Sequence, residues 1–457
     1  MRVPHLFFST DVEQQTLHRR ITPTVQQRDQ QQVRWRDVRD YVAGDLQERT
    51  GLPVSSWLQG SYKFGTQIRP VKGGEFDIDL GIYLEWPGAA ETGPFAPAQV
   101  KSLIQASLIR YAAEAGDDVL GVDDPPKERC ARIRFSESFH IDVPGYHLER
   151  PQDHRDLATE THGWEESDPK ALFLWFRDQF AEEDSNQIRR LIRYFKAWAL
   201  LNLGEPPSSI LLTVLIAEEY RELSAASCET DDLAIQHLAH GISERFACDT
   251  AVLNPVNQDE NLNRLSEEHC QSFIQGLHDL AAIADAALAA NSESGAAVEW
   301  SRAFQHFFPA PREANSVEAG HALVPVAFDP IVFVEARPTT GNGYFSDTNR
   351  IGPIPKKCEI TFTLQNAADL PAGATVRWIV RNEGQEAEFT NDLGHGAGGG
   401  LQATEQSAYR GTHYMDVAVI SAYGTMLGYR RIPVKISGLP MPVRNPKRPG
   451  WTRFRVR

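Results

Sequence analysis

A chain of 457 residues, 41% of them hydrophobic, has room for two or three domains with real cores. Its 46 Lys and Arg against 61 Asp and Glu give a net charge of -15, which argues against constitutive binding of a long nucleic acid across the surface but leaves room for one nucleotide in a small basic pocket. No apolar run approaches the ~18 residues of a membrane span, and the patch in MRVPHLFFSTDVEQQ is too short for a secretory signal. Five scattered cysteines (Cys130, Cys228, Cys248, Cys270, Cys358) form no CxxC pair, so a reducing cytoplasm is the expected home.

The first strong element starts at Ile21-Thr22-Pro23, with Thr22 as cap and Pro23 at the first helical position. Val25, Val33, Trp35, Val38, Tyr41, Val42 and Leu46 follow with helical spacing, and Gly51 and Pro53 end the helix. Next comes LQGSYKFGTQIRPVKGGEFDIDLGIYLEW, Leu58 to Trp86, which sets a Gly-Ser turn and a glycine-rich loop directly before a strand. In that strand Phe76, Ile78, Leu80, Ile82 and Leu84 point one way, and Asp77, Asp79, Gly81 and Tyr83 the other. CARIRF and SFHIDVPGY predict a strand pair joined near Ser136 to Ser138, with His140 and Asp142 sharing a face.

From Asp168 to about Leu288 apolar residues recur at three- and four-residue steps, which predicts helices. PAPREANSVEAGHALVP, Pro309 to Pro325, reads as a linker between independent cores. Beyond it ITFTLQN, TVRWIVRN, HYMDVAVISAYG and YRRIPVKISG are short alternating strands, the pattern of a small β-sandwich. GHGAGGG, Gly394 to Gly400, reads as a flexible loop, and PVRNPKRPGWTRFRVR as a basic tail.

The chemistry concentrates in the first strands. Asp77 and Asp79 sit about 6–7 Å apart on one strand face, and like charges that close repel unless neutralised. A solvated edge strand would carry the same pair. Here Gly60 and Ser61 precede them in a turn whose N–H groups and hydroxyl suit an anion. Asp142 supplies a third carboxylate from a separate strand. Such a set suits magnesium shared between carboxylate and phosphate oxygens.

GSYKFGTQIRP, then GGEFDIDLGIYL, then FHIDVPGYHL resemble the core of the polymerase-beta-like nucleotidyltransferases, and within them the bacterial CD-NTases, relatives of cyclic GMP-AMP synthase and oligoadenylate synthase. The family pattern of GS, an acid pair and a later third acid falls on Gly60, Ser61, Asp77, Asp79 and Asp142. Further on, Lys196-Ala197-Trp198 matches the family's KxW, and Ser208 and Ser209 its PSS. VRWIVRNEGQEA and YRGTHYMDV resemble segments of the AGS-C sensor domain.

The resemblance implies an α+β fold: a polymerase-beta-like sheet core with a helical half, followed by a small Ig-like β-sandwich. The expected organisation is a nucleotidyltransferase core with a spine helix at 1–165, a helical domain at 166–308, a linker at 309–327, the AGS-C-like domain at 328–438 and the tail at 439–457. It implies a CBASS antiphage enzyme that condenses nucleoside triphosphates, ATP or GTP, into a cyclic di- or oligonucleotide. Asp77, Asp79 and Asp142 would hold two Mg2+ ions, with Mn2+ as a substitute. Gly60, Ser61, Lys196 and Ser209 would hold the triphosphate, with Gln67 and Arg69 near phosphate or base. The partner would be an effector bound by the product, with no membrane involved. Two rivals stand beside it: linear, template-independent addition to RNA or protein, and a non-catalytic sensor. Within the basic stripe Arg189, Arg193 and Lys196, only Lys196 is expected at the phosphates, with Arg189 solvated. Lys63 is read as either a solvated loop charge or a phosphate contact, His140 as a hydrogen-bonded neighbour, and Tyr194 and Trp198 as core.

Overall fold

The structure is a computed structural model that describes all residues except 13, 72–73, 137, 151, 310–327, 341–342, 423–425 and 438–457. The expected linker beyond residue 309 and the basic tail lie outside the described residues. Contacts divide the chain into Pro4–Asp285 and a second unit of Met1–Val3 with Ala286–Arg457.

The first unit opens with the short helices α1 (Pro4–Phe7) and α2 (Leu17–Ile21) and the long α3 (Val25–Thr50). The cap of α3 is Thr24, not Thr22. Thr24 Oγ1 accepts from the Gln27 N–H while Gln27 Oε1 accepts from the Thr24 N–H, a reciprocal box that needs Gln three positions on. Thr22 instead closes α2, its hydroxyl donating to His18 O. Gly51, at φ 69, ends α3 in the left-handed conformation. Val25 and Val33 are exposed; Trp35, Val38, Val42 and Leu46 form the buried stripe.

Next come β1 (Val54–Gln59), α4 (Gly60–Phe64), β2 (Phe76–Glu85), α5 (Pro97–Glu114), β3 (Val119–Val122), β4 (Ala131–Phe135), β5 (Phe139–Val143), β6 (Gly145–Glu149), β7 (His154–Ala158) and β8 (Trp164–Glu166). One sheet holds all eight strands, with β2 at its centre. β1 lies antiparallel along one side of β2. On the other side β5 and β6 both run parallel to it with one constant offset, so they act as a single long strand broken at Pro144. Ile78, Leu80, Ile82 and Leu84 bury against Trp35, Val38, Val42 and Leu46 of α3 and Val100, Ile104 and Leu108 of α5. A fully buried side chain of this size contributes roughly 1.5–3 kcal/mol. A one-residue slip would turn this face to solvent and the carboxylates inward, so the register is strongly held.

The helices α6 (Pro169–Asp178), α7 (Glu182–Asn202), α8 (Ser209–Glu222), α9 (Asp231–Cys248) and α10 (Glu267–Ala289) follow, with a small hairpin of β9 (Leu253–Asn254) and β10 (Asn257–Asn261) before α10. Tyr194 and Trp198 of α7 are buried, in keeping with a core role.

In the second unit α11 (Glu293–Phe304) runs into a 3-10 turn at Gln305–Phe307. The strands are β11 (Val332–Pro338), β12 (Phe345–Thr348), β13 (Ile351–Ile354), β14 (Cys358–Leu364), β15 (Thr375–Arg381), β16 (Gly394–Gly399), β17 (Gln402–Gln406), β18 (Gly411–Ile420) and β19 (Met426–Ile436), with a short α12 (Gln385–Phe389) after β15. They form a four-stranded and a five-stranded sheet. Val334, Ile360 and Phe362 of one pack with Trp378, Val417 and Ile432 of the other. GHGAGGG is not a free loop: it is β16, paired with β15. A Cβ at Gly394 would lie 2.1 Å from Val380 O, so the glycine serves close backbone approach.

The last helical piece packs with these strands. Arg381 at the end of β15 donates to His306 O (3.2 Å) and Ser301 Oγ (3.2 Å), and to Phe308 O. Its guanidinium also pairs with Asp416, which is bonded in turn by Arg431. Deleting the chain after residue 319 removes these partners. Limited proteolysis should then cut within 293–308 while Pro4–Asp285 stays resistant. Equal protection of 293–308 in the shortened and full chains would contradict this dependence.

Candidate active site

Pairing decides which carboxylates meet. Asp77 stands opposite His140, and Asp79 opposite Asp142, on the parallel strands β2 and β5. Strand alternation puts all four on the face away from the core. Antiparallel β4 adds Arg132 opposite Asp142 and Arg134 opposite His140.

The expected Gly-Ser turn is the first turn of α4, entered through Gly60 at φ 57. A Cβ on Gly60 would lie 1.8 Å from Asp79 Oδ2. Only glycine allows that backbone angle and that approach together. Gly81 acts similarly, because a Cβ there would lie 2.1 Å from Gln59 Nε2. Gln59 reaches across it to donate to the Tyr83 hydroxyl (2.9 Å) and accept from the Tyr146 hydroxyl (3.1 Å). This holds the end of β1 just before Gly60.

The acids differ in environment. Asp79 is half-buried with its Oδ2 against Gly60 of α4, and desolvation first, then the charges of Asp77 and Asp142, push its pKa up to about 8. Asp142 is partly buried, which alone would raise its pKa, but hydrogen bonds from Arg132 outweigh that and hold it below the ordinary value. Arg132 Nη2 donates to Asp142 Oδ2 at 2.7 Å while Nε donates to Oδ1. Lys127 Nζ stands 3.5 Å from Oδ2. Asp77 is half-exposed.

His140 Nδ1 bonds Glu75 at 2.8 Å. Its buried Nε2 lies 2.9 Å from Asp77 Oδ1 without the alignment of a hydrogen bond. Ligand atoms of Asp77, His140 and Asp142 lie within 4.8 Å of one another. A buried ring nitrogen lacking a hydrogen bond, beside converging carboxylates that repel, fits a divalent cation.

The basic stripe of α7 is a ladder on α4. Arg189 Nε donates to Phe64 O (3.0 Å), Arg193 Nη2 to Gly65 O, and Lys196 Nζ to Thr66 O (3.0 Å). Steps of four and three along a helix put the three cations on one face. They meet three consecutive carbonyls at the C-terminal end of α4, where positive charge is favoured. Arg189 is therefore half-buried rather than solvated. Burial brings Lys196 down to about 8, with Arg193 adding to the effect.

Other expected residues take different places. Gln67 Nε2 donates to Asp77 O (3.0 Å), which ties the loop to β2. Arg69 is buried and donates to Thr22 O (3.0 Å). Lys63 sits over the Trp57 ring at 4.2 Å. Ser208, not Ser209, caps α8, accepting from the Leu211 N–H; Ser209 is exposed at the first helical position. Arg132, Lys127, Glu75 and Gln59 were missed. The ARIRF alternation and a tight turn near Ser136 would have placed Arg132 opposite Asp142.

The parallel strands, the acid cluster and the glycine-led turn define a nucleotidyltransferase. Residues 54–146 match the family described as cyclic GMP-AMP synthase DncV-like, nucleotidyltransferase domain, and residues 327–437 match the Adenylyl/Guanylyl and SMODS C-terminal sensor domain. The chain is 27% identical over 442 residues to a cyclic GMP-AMP synthase of Escherichia albertii, covering 95% of this chain and 96% of that one. A c-di-GMP synthase of Roseivirga ehrenbergii is 26% identical over 279 residues, covering 52% of this chain and 70% of that one. A solved variant of the Vibrio cholerae di-nucleotide cyclase DncV, in complex with ATP and GTP, shares the fold with TM-score 0.56 at 20% identity, covering 64% of this chain and 93% of that one. The chain thus carries a DncV-like nucleotidyltransferase domain and an AGS-C sensor domain, an arrangement that fits the SMODS type of CD-NTase. Among the described residues no helix is long and apolar enough to cross a membrane.

Asp79 has a testable signature. Its pKa in the folded chain, about 8, is above the ordinary 3.8, so the fold binds its proton more tightly than the unfolded chain does. That contribution is full below 3.8 and is lost as pH rises to about 8. Without divalent cations, Asp79→Asn should therefore raise the melting temperature, and the gain should grow with pH across that window and level off above it. A gain that is constant with pH, or absent, would contradict the burial of this carboxyl.

Proposed function

We propose that this chain is a cyclic dinucleotide synthase that joins two nucleoside triphosphates, ATP or GTP, through successive 3′ or 2′ linkages with release of pyrophosphate, as a signal in CBASS antiphage defence. The observation that carries it is the register that sets Asp77, Asp79 and Asp142 on one face beside the glycine-led turn of α4. Its relatives named as cyclic dinucleotide synthases support the product class. We place the enzyme in the cytoplasm, with a downstream effector that binds the product rather than this chain.

Gly60 and Ser61 hold the donor triphosphate. Lys196, seated at Thr66 O and close to the acids, faces the charge that builds on the leaving pyrophosphate. Ser209 adds a hydroxyl at the start of α8. Asp77, Asp79 and Asp142 would hold Mg2+, as two ions, with Mn2+ as a substitute; bound there, the ions would lower the pKa of the attacking hydroxyl and neutralise the leaving group. Asp142 would complete the acceptor-side metal site and help activate the attacking ribose hydroxyl, whose proton leaves to solvent as the new ester bond forms and the bond to pyrophosphate breaks. His140, fixed by Glu75, would turn its Nε2 toward a cation held beside Asp77. Gln67 fixes the backbone at Asp77.

Purified chain incubated with four labelled triphosphates and Mg2+ should give a small phosphatase-resistant product. Changing Asp77 and Asp79 together to Asn should abolish it with the fold retained. A lengthened linear product would favour terminal transfer instead, and no Mg2+-dependent consumption of triphosphate would favour a non-catalytic sensor.

Lys196 adds a pH limb. A lysine whose pKa is down at about 8 loses its charge as pH rises through that value. The KM for triphosphate should therefore climb above pH 8. In Lys196→Ala that limb should vanish and kcat/KM should be low at every pH. Persistence of the limb in the mutant would assign it to another group. Arg189→Ala should mainly lower the melting temperature and raise KM, since it loosens α4 through Phe64 O. Losses that fade with salt equally for both variants would show a diffuse field instead of fixed seats.

A further inference from the structure

Every oxygen of the Asp142 carboxylate is engaged by a cation from this chain. Arg132 takes both oxygens as a fork, and Lys127 stands at 3.5 Å from one of them. The fork is well sheltered: the Arg132 side chain is 14% exposed and that of Asp142 13%. It is set by the β4–β5 pairing, which puts Arg132 opposite Asp142. Lys127 differs, being 42% exposed and reaching from a loop. That loop is pinned by buried Lys101, which donates to the carbonyls of Lys127 (2.8 Å) and Glu128 (2.9 Å).

One of these Asp142 oxygens lies within 4.8 Å of ligand atoms of Asp77 and His140. A guanidinium and a divalent cation so close to one carboxylate repel each other. Resting on the reading of this cluster as a metal centre, we propose that Arg132 is a built-in counterion that competes with the acceptor-side metal for Asp142. In the empty site it neutralises the acid cluster and keeps metal affinity low. When a nucleotide arrives, its phosphate oxygens supply further ligands, the metal wins Asp142, and the guanidinium is released toward the cleft. Arg132 is thus a positioning residue that couples metal loading to substrate, so that the centre is completed only with nucleotide present.

The test measures Mn2+ binding to the full chain, from the electron paramagnetic resonance signal of the free aquo ion, with and without a non-hydrolysable triphosphate. Charge-assisted hydrogen bonds contribute ~1.5–3 kcal/mol, so Arg132→Gln should bind Mn2+ alone about tenfold or more tighter than wild type. The gain should shrink when the triphosphate analogue is present. Arg132→Lys keeps the charge but loses the fork, and should lie between the two. Lys127→Gln removes one charge from an exposed partner and should change affinity only about two- to fivefold. Circular dichroism checks each fold; if Arg132→Gln is unfolded, Arg132→Lys carries the comparison. Unchanged or weaker Mn2+ affinity in a folded Arg132 variant would overturn the proposal, as would equal gains for Arg132→Gln and Lys127→Gln. Wild-type turnover of triphosphate is read separately. A chain that turns over but shows no gain in the Arg132 variants keeps its enzymatic reading and loses only this one.

Discussion

The parallel pairing of β2 with β5 and β6 is the constraint on which the rest of the catalytic unit depends. One offset runs the length of β2 and survives the break at Pro144. It is held from the far face, where Ile78, Leu80, Ile82 and Leu84 bury against α3 and α5. The acidic face gains nothing from this register by itself. Desolvation first, and then repulsion from Asp77 and Asp142, makes Asp79 hold its proton. The hydrophobic face thus imposes an arrangement that the polar face resists, and Arg132 relieves part of the strain.

Backbone space is the second constraint. Two glycines sit where side chains must pass: Gly60 over the Asp79 carboxylate and Gly81 under the Gln59 amide. The first lets α4 start directly above the acids; the second lets Gln59 lock to Tyr83 and Tyr146, which stack with ring centroids 4.6 Å apart. The other end of α4 is held by Arg189, Arg193 and Lys196 on three successive carbonyls. A five-residue helix has little stability of its own. This one is fixed at both ends by neighbours, so the turn that precedes the acid strand is rigid before any ligand arrives.

The second unit solves a different problem with a buried ion group. Asp416 on β18 lies between Arg381 of β15 and Arg431 of β19, all at most 4% exposed. Burial alone would raise the Asp416 pKa, yet the two guanidiniums hold it far below the carboxylate range. Two cations against one anion would leave an unmet donor set in most cores. Here the surplus donors of Arg381 serve the carbonyls that end the 3-10 turn after α11. The ion group therefore specifies where that helical piece docks on the five-stranded sheet.

Periodicity and local chemistry were enough to read much of this. Strict alternation in EFDIDLGIYL separated the core face from the acid face, because side chains on a strand alternate whatever the partner strand is. The helical half and the sandwich strands followed from spacing in the same way. A local signal failed where two neighbours competed for one role: Thr24, not Thr22, took the cap because Gln27 stood three residues on. Composition failed at GHGAGGG, since glycine permits close strand pairing as readily as disorder. What only the tertiary structure decided is partnership. Whether Arg189 faces water or Phe64 O, whether Arg69 meets a ligand or Thr22 O, and that Arg132 forks onto Asp142 all depend on which element lies alongside. A charge has the same sequence pattern in either setting; its partner is supplied by distant segments, and it is the packing of the apolar faces that brings them near.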